Sequence, residues 1–427
     1  MSNPQPAKQK KLITPFRLIL IAIAMLTIQF MTSSSKTMIA PIMTDLVAYF
    51  QADLGWTSLI LTVPALAMIP GTIVCGALAN KYSQKMIALV GVILFFIGGV
   101  APVFFDNIVV VIVFRAVLGF GAGLTRVFAT SWIPLFFKGK AADTMMGITN
   151  AVGGLMGTLS SIIGGFLGTI SWQAVMWGNA IVLIVGITII LFVPEPNKFV
   201  FSTGKASDNI DAPVVEKAAD SGDLAPKGSN KVPGIAWLYA LVIGLEFLCV
   251  TLIYSVCGPR IVELGFTTVD AGFAVGLIGI AMAVVSFLYG TFASILKRWA
   301  IVVAIALALI AYLILGFTSD LILIEVACVL IGMTMAFSNN TIFNYVNIDC
   351  KGGNVPMAVA IVTSGLNVGG FLSSFLIQGV GQLAGPTNYT GMFMVTAGIL
   401  VVLTIISVVV VITANRISKQ KGLKDTN

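Results

Sequence analysis

The sequence predicts an all-α membrane protein, with twelve transmembrane helices in two pseudo-symmetric six-helix bundles. Three observations predict it. Of 427 residues, 58% are hydrophobic and 10% charged, where soluble domains carry about 25% charged residues, and mean hydropathy is +1.03. Twelve apolar runs approach or exceed the roughly 20 residues that cross a bilayer. A single long polar stretch, 197–233, divides those runs six and six. It is rich in Asp, Lys, Gly, Pro and Ala, buries nothing, and reads as a flexible linker.

The expected spans, in order, are 16–44, 57–79, 86–105, 108–136, 143–168 and 173–193, then 234–256, 268–293, 299–317, 321–347, 356–383 and 389–413. The first follows Lys8, Lys10, Lys11 and Arg17, a pattern shared with signal peptides. It continues through Pro41, however, and has a counterpart in the second half, so it is read as a span. Around the spans lie a terminal tail (1–15), the first bundle (16–196), the linker (197–233), the second bundle (234–415) and a final tail (416–427).

Charge sets the orientation. With the N-terminus in the cytoplasm, the inner segments hold all of the 24 basic residues except Lys36, Arg115, Arg126 and Arg260, as the positive-inside rule requires. Asp53, Asp106, Asp270 and Asp320 fall in the outer loops. Trp56, Trp132, Trp172, Trp177, Trp237 and Trp299 lie near expected helix ends, as an aromatic belt would. An even number of spans places both termini inside. The basic excess therefore reflects topology, and no nucleic-acid partner is expected.

The chain has no His, which excludes a His metal site and His acid–base chemistry. Its five Cys are scattered in or beside apolar runs and read as packing rather than a disulfide or zinc framework. No nucleophile–base pair or cofactor motif is present, so neither an enzyme nor a cofactor is expected.

The two halves repeat. Ala40-Pro41-Ile42-Met43-Thr44-Asp45-Leu46 closes the first helix, and Gly258-Pro259-Arg260-Ile261-Val262-Glu263-Leu264 closes the seventh. Gly119 stands before Lys138-Gly139 as Gly332 stands before Lys351-Gly352. Val152-Gly153-Gly154 in the fifth helix matches Val368-Gly369-Gly370 in the eleventh. Parallel six-helix repeats are a transporter design, with substrate near the midplane between them. On these registers Lys36 corresponds to Tyr254 and Arg126 to Asn339.

Over essentially the whole chain these residues resemble the major facilitator superfamily of bacterial type. The loop after the second helix, Gly76-Ala-Leu-Ala-Asn80-Lys81-Tyr-Ser83-Gln-Lys85, is similar to the family's G-x-L-A-D-R-x-G-R-[KR], with Asn80 where the family has Asp. The resemblance assigns Gly76, Asn80, Lys81 and Lys85 to gating, with a latch lacking the Asp charge. Arg115-Ala-Val-Leu-Gly119-Phe-Gly121-Ala-Gly123 is similar to the family's R-x-x-x-G-x-G-x-G. The drug-antiporter pattern of the fifth helix is half present: Gly157 and Gly164-Gly165 match, and Ser160-Ser161 replaces its central Gly-Pro. Ser35-Lys36 resembles the place where organic-anion members carry an Asp-Arg pair, the Arg contacting substrate. The resemblance implies a monomer in the cell membrane, working by alternating access.

Charges inside a span cost roughly 2.5–3.5 kcal/mol on insertion scales and are functional candidates by default. They are Lys36, Arg115, Arg126, Glu246 and Glu325. Glu325, close to Asp320, fits the outer interface. Arg115 and Arg126 are eleven residues apart, three turns, and share one face of the fourth helix about 16 Å apart. The core thus holds three bases against one clear acid. Unpaired buried charge is costly, and an anion would supply the partner. Lys36 and Arg126 are therefore expected to bind substrate with Tyr254, Asn339, Asn340 and Asn367 facing them. Arg115 is read as a structural or coupling element, and Glu246 as a protonation site or a fixed counter-ion. The leading expectation is a small organic anion, a carboxylate, carried by proton symport or by exchange with a counter-anion. The alternative is proton-coupled efflux of drugs or amphipathic cations.

Overall fold

A computed structural model describes residues 15–79, 82–137, 140–194, 233–350, 355–385 and 387–420. Asn80, Lys81, the linker and most of both tails lie outside the described residues.

Twelve spans are present among the described residues, and no strand. They run Phe16–Phe50, Leu54–Leu78, Gln84–Phe104, Ile108–Ala129, Ala151–Gly168 and Trp172–Phe192, then Gly234–Glu263, Thr268–Ala293, Lys297–Phe317, Leu321–Asp349, Met357–Ala384 and Tyr389–Arg416. Most of their ends agree with the sequence expectation to within a few residues. The first and seventh spans, however, run on past their expected ends, and Pro41 and Pro259 explain why. Neither proline stops its helix. Pro41 opens a short 3-10 turn, Ala40–Ile42, that hands directly to a helix at Met43–Phe50. Pro259 lies inside the helix Leu252–Glu263. A proline removes one backbone donor and bends a helix; here the chain stays helical through the bend. Both spans are broken near their middles, at Met38–Ile39 and at Thr251.

Polar side chains start several spans. Asp53 accepts from the Trp56 N–H at 2.8 Å, and Ser83 caps Gln84–Val100. Thr267 and Asp270 form a reciprocal capping box at the start of the eighth span. Each satisfies an orphan donor at a helix N-terminus.

Within the first bundle, the glycines of the fourth span set close packing. Gly119 and Gly123 lie on one face, four residues apart. A Cβ at Gly119 would collide with the Pro64 carbonyl, and one at Gly123 would lie 2.5 Å from the Met68 carbonyl of the second span. Small residues let two backbones approach this closely.

The halves meet from the midplane to the side opposite the termini, here the distal side. The fifth span lies along the eighth: Gly154 faces Gly279, Thr158 donates to the Gly276 carbonyl at 2.7 Å, and Gly165 faces Gly272. Thr62 of the second span pairs with Ser374 of the eleventh at 2.5 Å. Gly258 abuts the Ala40 carbonyl, its own counterpart region. Gly365 and Gly369 of the eleventh span pack instead on Ala240 and Gly244 of the seventh, inside one bundle.

The tryptophan belt is partial. Trp56, Trp177, Trp237 and Trp299 are exposed, but Trp132 is fully buried, stacked on Phe128 and donating to Gln84 at 2.9 Å. Trp172 is also buried, against Tyr49 and Phe50. Proximity to a helix end does not tell a lipid-facing indole from one turned into the bundle.

Candidate functional site

The site begins at the break in the first span. Ser33-Ser34-Ser35-Lys36-Thr37 forms the last turn of the helix Pro15–Thr37. Small hydroxyl residues favour backbone bonds over continued helix, and two act so here. Ser33 donates to the Gly153 carbonyl of the fifth span at 2.7 Å, and Thr37 back-bonds to the Ser33 carbonyl at 2.9 Å. The last carbonyls of a helix lack partners; that of Ser35 accepts from the Arg115 guanidinium.

Arg115 has a second backbone partner, and the sequence explains it. Pro64 has no N–H, so the carbonyl four residues earlier, that of Ile60, is left without its helical donor. Arg115 Nε donates to the Ile60 carbonyl at 2.9 Å. One fully buried guanidinium therefore closes the proline gap in the second span and the break in the first. Arg115 is a structural clamp in this state, and it fixes the backbone one residue before Lys36.

Lys36 is half-buried and crosses to the other bundle. Its ammonium lies 4.6 Å from the ring centre of Tyr254 and 5.9 Å from that of Phe247. A cation over an aromatic face is held by about 0.5–2 kcal/mol. Arg126, also half-buried, makes no hydrogen bond or ion pair among the described residues. The charges of Lys36 and Arg126 act on one another as like-charged neighbours.

In a helix, side chains lean towards the N-terminus. The first span runs towards the distal side and the fourth runs away from it. Along the membrane normal, Lys36 therefore leans towards the terminal side and Arg126 towards the distal side.

Glu246 is fully buried in the seventh span. One carboxyl oxygen accepts from Ser338 of the tenth span, and the other has no partner. It forms no ion pair with Lys36, Arg115 or Arg126 in this state; the ion pairs among the described residues are Arg260–Glu263 and Arg298–Asp349. Among the described residues the three bases are thus free of any carboxylate.

Of the other expected residues, Tyr254 is buried and donates to the Met335 sulfur at 3.7 Å. Asn339 has a buried side-chain oxygen without a partner. Asn340 gives its amide to Ser286 at 3.1 Å, linking the tenth span to the eighth. Asn367 is buried and makes no hydrogen bond among the described residues. Gly76 is exposed with open space beside it. Lys85 donates to the Ile190 and Val193 carbonyls at 2.6 and 2.9 Å, capping the sixth span, where a cation suits the helix C-terminus.

Two groups escaped the sequence reading. Phe247 adjoins Glu246, yet its approach to Lys36 depends on how the bundles dock. Arg298, expected in an inner loop, is buried at 2% exposure. It makes a fork to Asp349 at 2.6 and 2.8 Å, donates to the Tyr239 hydroxyl at 3.0 Å, and stacks 4.2 Å from the Tyr345 ring centre. Lys297-Arg298 beside an apolar run gave no signal separating a loop charge from a buried one.

A model of the Major Facilitator Superfamily matches residues 25–351. YwtG of Bacillus subtilis (strain 168), whose name provisionally assigns metabolite transport, is 26% identical over 147 residues, 33% of this chain and 31% of that protein. Multidrug resistance protein 3 of the same organism is 26% identical over 202 residues, 39% of this chain and 38% of that protein. These matches span about a third of each relative's length. Among solved structures, a bacterial homologue of the human lysosomal transporter Spinster, inward-facing and unoccupied, superposes with a TM-score of 0.72 at 15% identity, covering 95% of this chain and 98% of that one. With the family match spanning most of the chain, the protein belongs to the Major Facilitator Superfamily, and its twelve long apolar helices make it a multi-pass membrane protein.

Proposed function

We propose that the protein carries a small organic anion, a carboxylate, by alternating access, and that Lys36 and Arg126 bind it. One observation carries this reading: Lys36 and Arg126 lie half-buried in two neighbouring spans of the first bundle, and neither has a carboxylate partner among the described residues. Such an arrangement is costly when empty and becomes complementary when an anion enters. Arg suits a carboxylate through two parallel bonds. Tyr254, Asn339 and Asn367 would complete the site from the second bundle, with Asn340 held at its edge by Ser286.

The halves join from midplane to distal side, so the site opens towards the termini. With both termini in the cytoplasm, as the basic inner segments favour, this is a cytoplasm-facing state of a monomer in the cell membrane. Gly76, Asn80, Lys81 and Lys85 would govern closure on that side. Glu246, with one oxygen bonded to Ser338 and one free, is the group we assign to proton coupling.

The second reading is efflux of amphipathic cations, favoured by the free oxygen of Glu246 and by the multidrug names of two distant relatives, one of them called an efflux pump. Counterflow in proteoliposomes separates them. The reading predicts that liposomes preloaded with an unlabelled carboxylate take up the labelled one. Lys36→Gln and Arg126→Gln should each abolish this, while Glu246→Gln should keep exchange but lose accumulation driven by a pH gradient. Counterflow of a lipophilic cation, unchanged in Lys36→Gln and Arg126→Gln, would establish the second reading instead.

A further inference from the structure

The two cations differ in what already compensates them, and they stand at different depths. Lys36 has the faces of Tyr254 and Phe247. Arg126 has nothing among the described residues. Their backbones are separated along the membrane normal. Arg115 bonds the Ser35 carbonyl and so marks the level of Lys36, and Arg126 lies three turns further along the fourth span, about 16 Å by helical rise. Each side chain covers part of that distance, leaving two positive ends facing across a gap.

A monocarboxylate placed in that gap can neutralise one end. The other cation then stays desolvated and unpaired, which is the expensive arrangement for buried charge. A compact dianion such as inorganic phosphate puts both charges on one centre and reaches one end well. Two anionic groups held apart on a short linker meet both. The rings of Tyr254 and Phe247 beside Lys36 offer an apolar wall for that linker. The amide oxygen of Asn339, buried without a partner, is an acceptor for a hydroxyl or amide N–H on it.

We infer that the ligand is a short dicarboxylate spanning Arg126 and Lys36, with Arg126 gripping one carboxylate in a two-bond fork and Lys36 leaving the aromatic faces to pair with the other. This rests on the anion reading above and goes further by fixing the number and separation of the charges. Entry from the terminal side meets Arg126 first and Lys36 second, so the deeper carboxylate is the one that displaces the Tyr254 contact.

The test is binding to the purified full-length protein in detergent. The probes are oxalate, malonate, succinate and glutarate, with succinamate and butyrate as single-charge controls, inorganic phosphate as the compact dianion, and a lipophilic cation. At least one diacid should bind, and succinamate should bind at least tenfold more weakly than succinate. In Lys36→Gln or Arg126→Gln, succinate and succinamate should bind alike, since one cation remains. The comparison within wild type needs no variant and survives a folding defect in either. Equal affinity for succinate, succinamate and butyrate would overturn the dicarboxylate inference while leaving the anion reading intact. So would binding of phosphate without any diacid. Binding of the lipophilic cation with no anion bound would overturn both.

Discussion

The ammonium of Lys36 lies 4.6 Å from the ring centre of Tyr254, and these two residues occupy corresponding places in the two repeats. The first and seventh spans break near their middles and meet each other across the pseudo-twofold axis. One contributes a cation at the break, the other an aromatic ring, and each faces its own counterpart.

On the proposed reading, the ring compensates Lys36 only while the site is empty. Replacing it should therefore destabilise the empty protein more than the occupied one. Tyr254→Leu is expected to lower the melting temperature without ligand, by the equivalent of about 0.5–2 kcal/mol, and to enlarge the shift produced by a bound anion. Tyr254→Phe, which keeps the ring, should resemble wild type in the empty state. Melting curves with and without ligand check both.

Arg115 serves carbonyls released by Pro64 and by the end of the first helix. Hydrogen bonds to charged groups are worth about 1.5–3 kcal/mol each, so Arg115→Gln should cost on the order of 3 kcal/mol. Pro64→Ala gives the Ile60 carbonyl a helical N–H again. In that background Arg115→Gln should cost less, a coupling visible as non-additive thermal stability in a double-mutant cycle. Strict additivity would mean that Arg115 does not answer the proline.

Much of the fold was legible because a membrane imposes length and polarity on each span, and the Pro41/Pro259 and Gly119/Gly332 registers exposed the repeat. The site was legible in part. Lys36, Arg126 and Glu246 stood out as charges in apolar runs. What they touch was not readable, because contacts such as Lys36–Phe247 depend on the docking of the two bundles. Pro259 misled as a helix end, since the helix passes through it, and Trp132 misled as a belt residue, since helix ends face inwards as well as outwards. Arg298 stands in the turn between the eighth and ninth spans, where it was expected; its burial was not readable, because its partner Asp349 lies far along the chain.

Gly154 touches Gly279 across the bundle interface, so a side chain there strikes the state in which the halves meet distally. Gly154→Val would push against the Gly279 carbonyl and the Ala283 nitrogen. Overpacking costs roughly 1–3 kcal/mol, which shifts a two-state balance about fivefold to more than a hundredfold. Spin-label distances across the distal ends should lengthen and those across the terminal ends shorten.

The Arg298–Asp349 fork is buried and shared with Tyr239. Removing one charge strands the other, at about 3–5 kcal/mol. Asp349→Asn is expected to lower thermal stability sharply, and Arg298→Met combined with Asp349→Leu to recover part of the loss. A double variant no better than Asp349→Asn would show that the pair does not act as a unit.

The claim that Lys36 and Arg126 form the substrate's anion site is tested most directly by thermal shift. Wild type, Lys36→Ala and Arg126→Ala would be run in detergent against small mono- and dicarboxylates and lipophilic cations. A ligand at a hundredfold excess over its dissociation constant stabilises the folded state by about 2.7 kcal/mol. The account predicts a shift with a carboxylate in wild type that falls sharply in both variants at the same ligand concentration. A carboxylate shift of the same size in all three proteins, or a shift with cations alone, would contradict it.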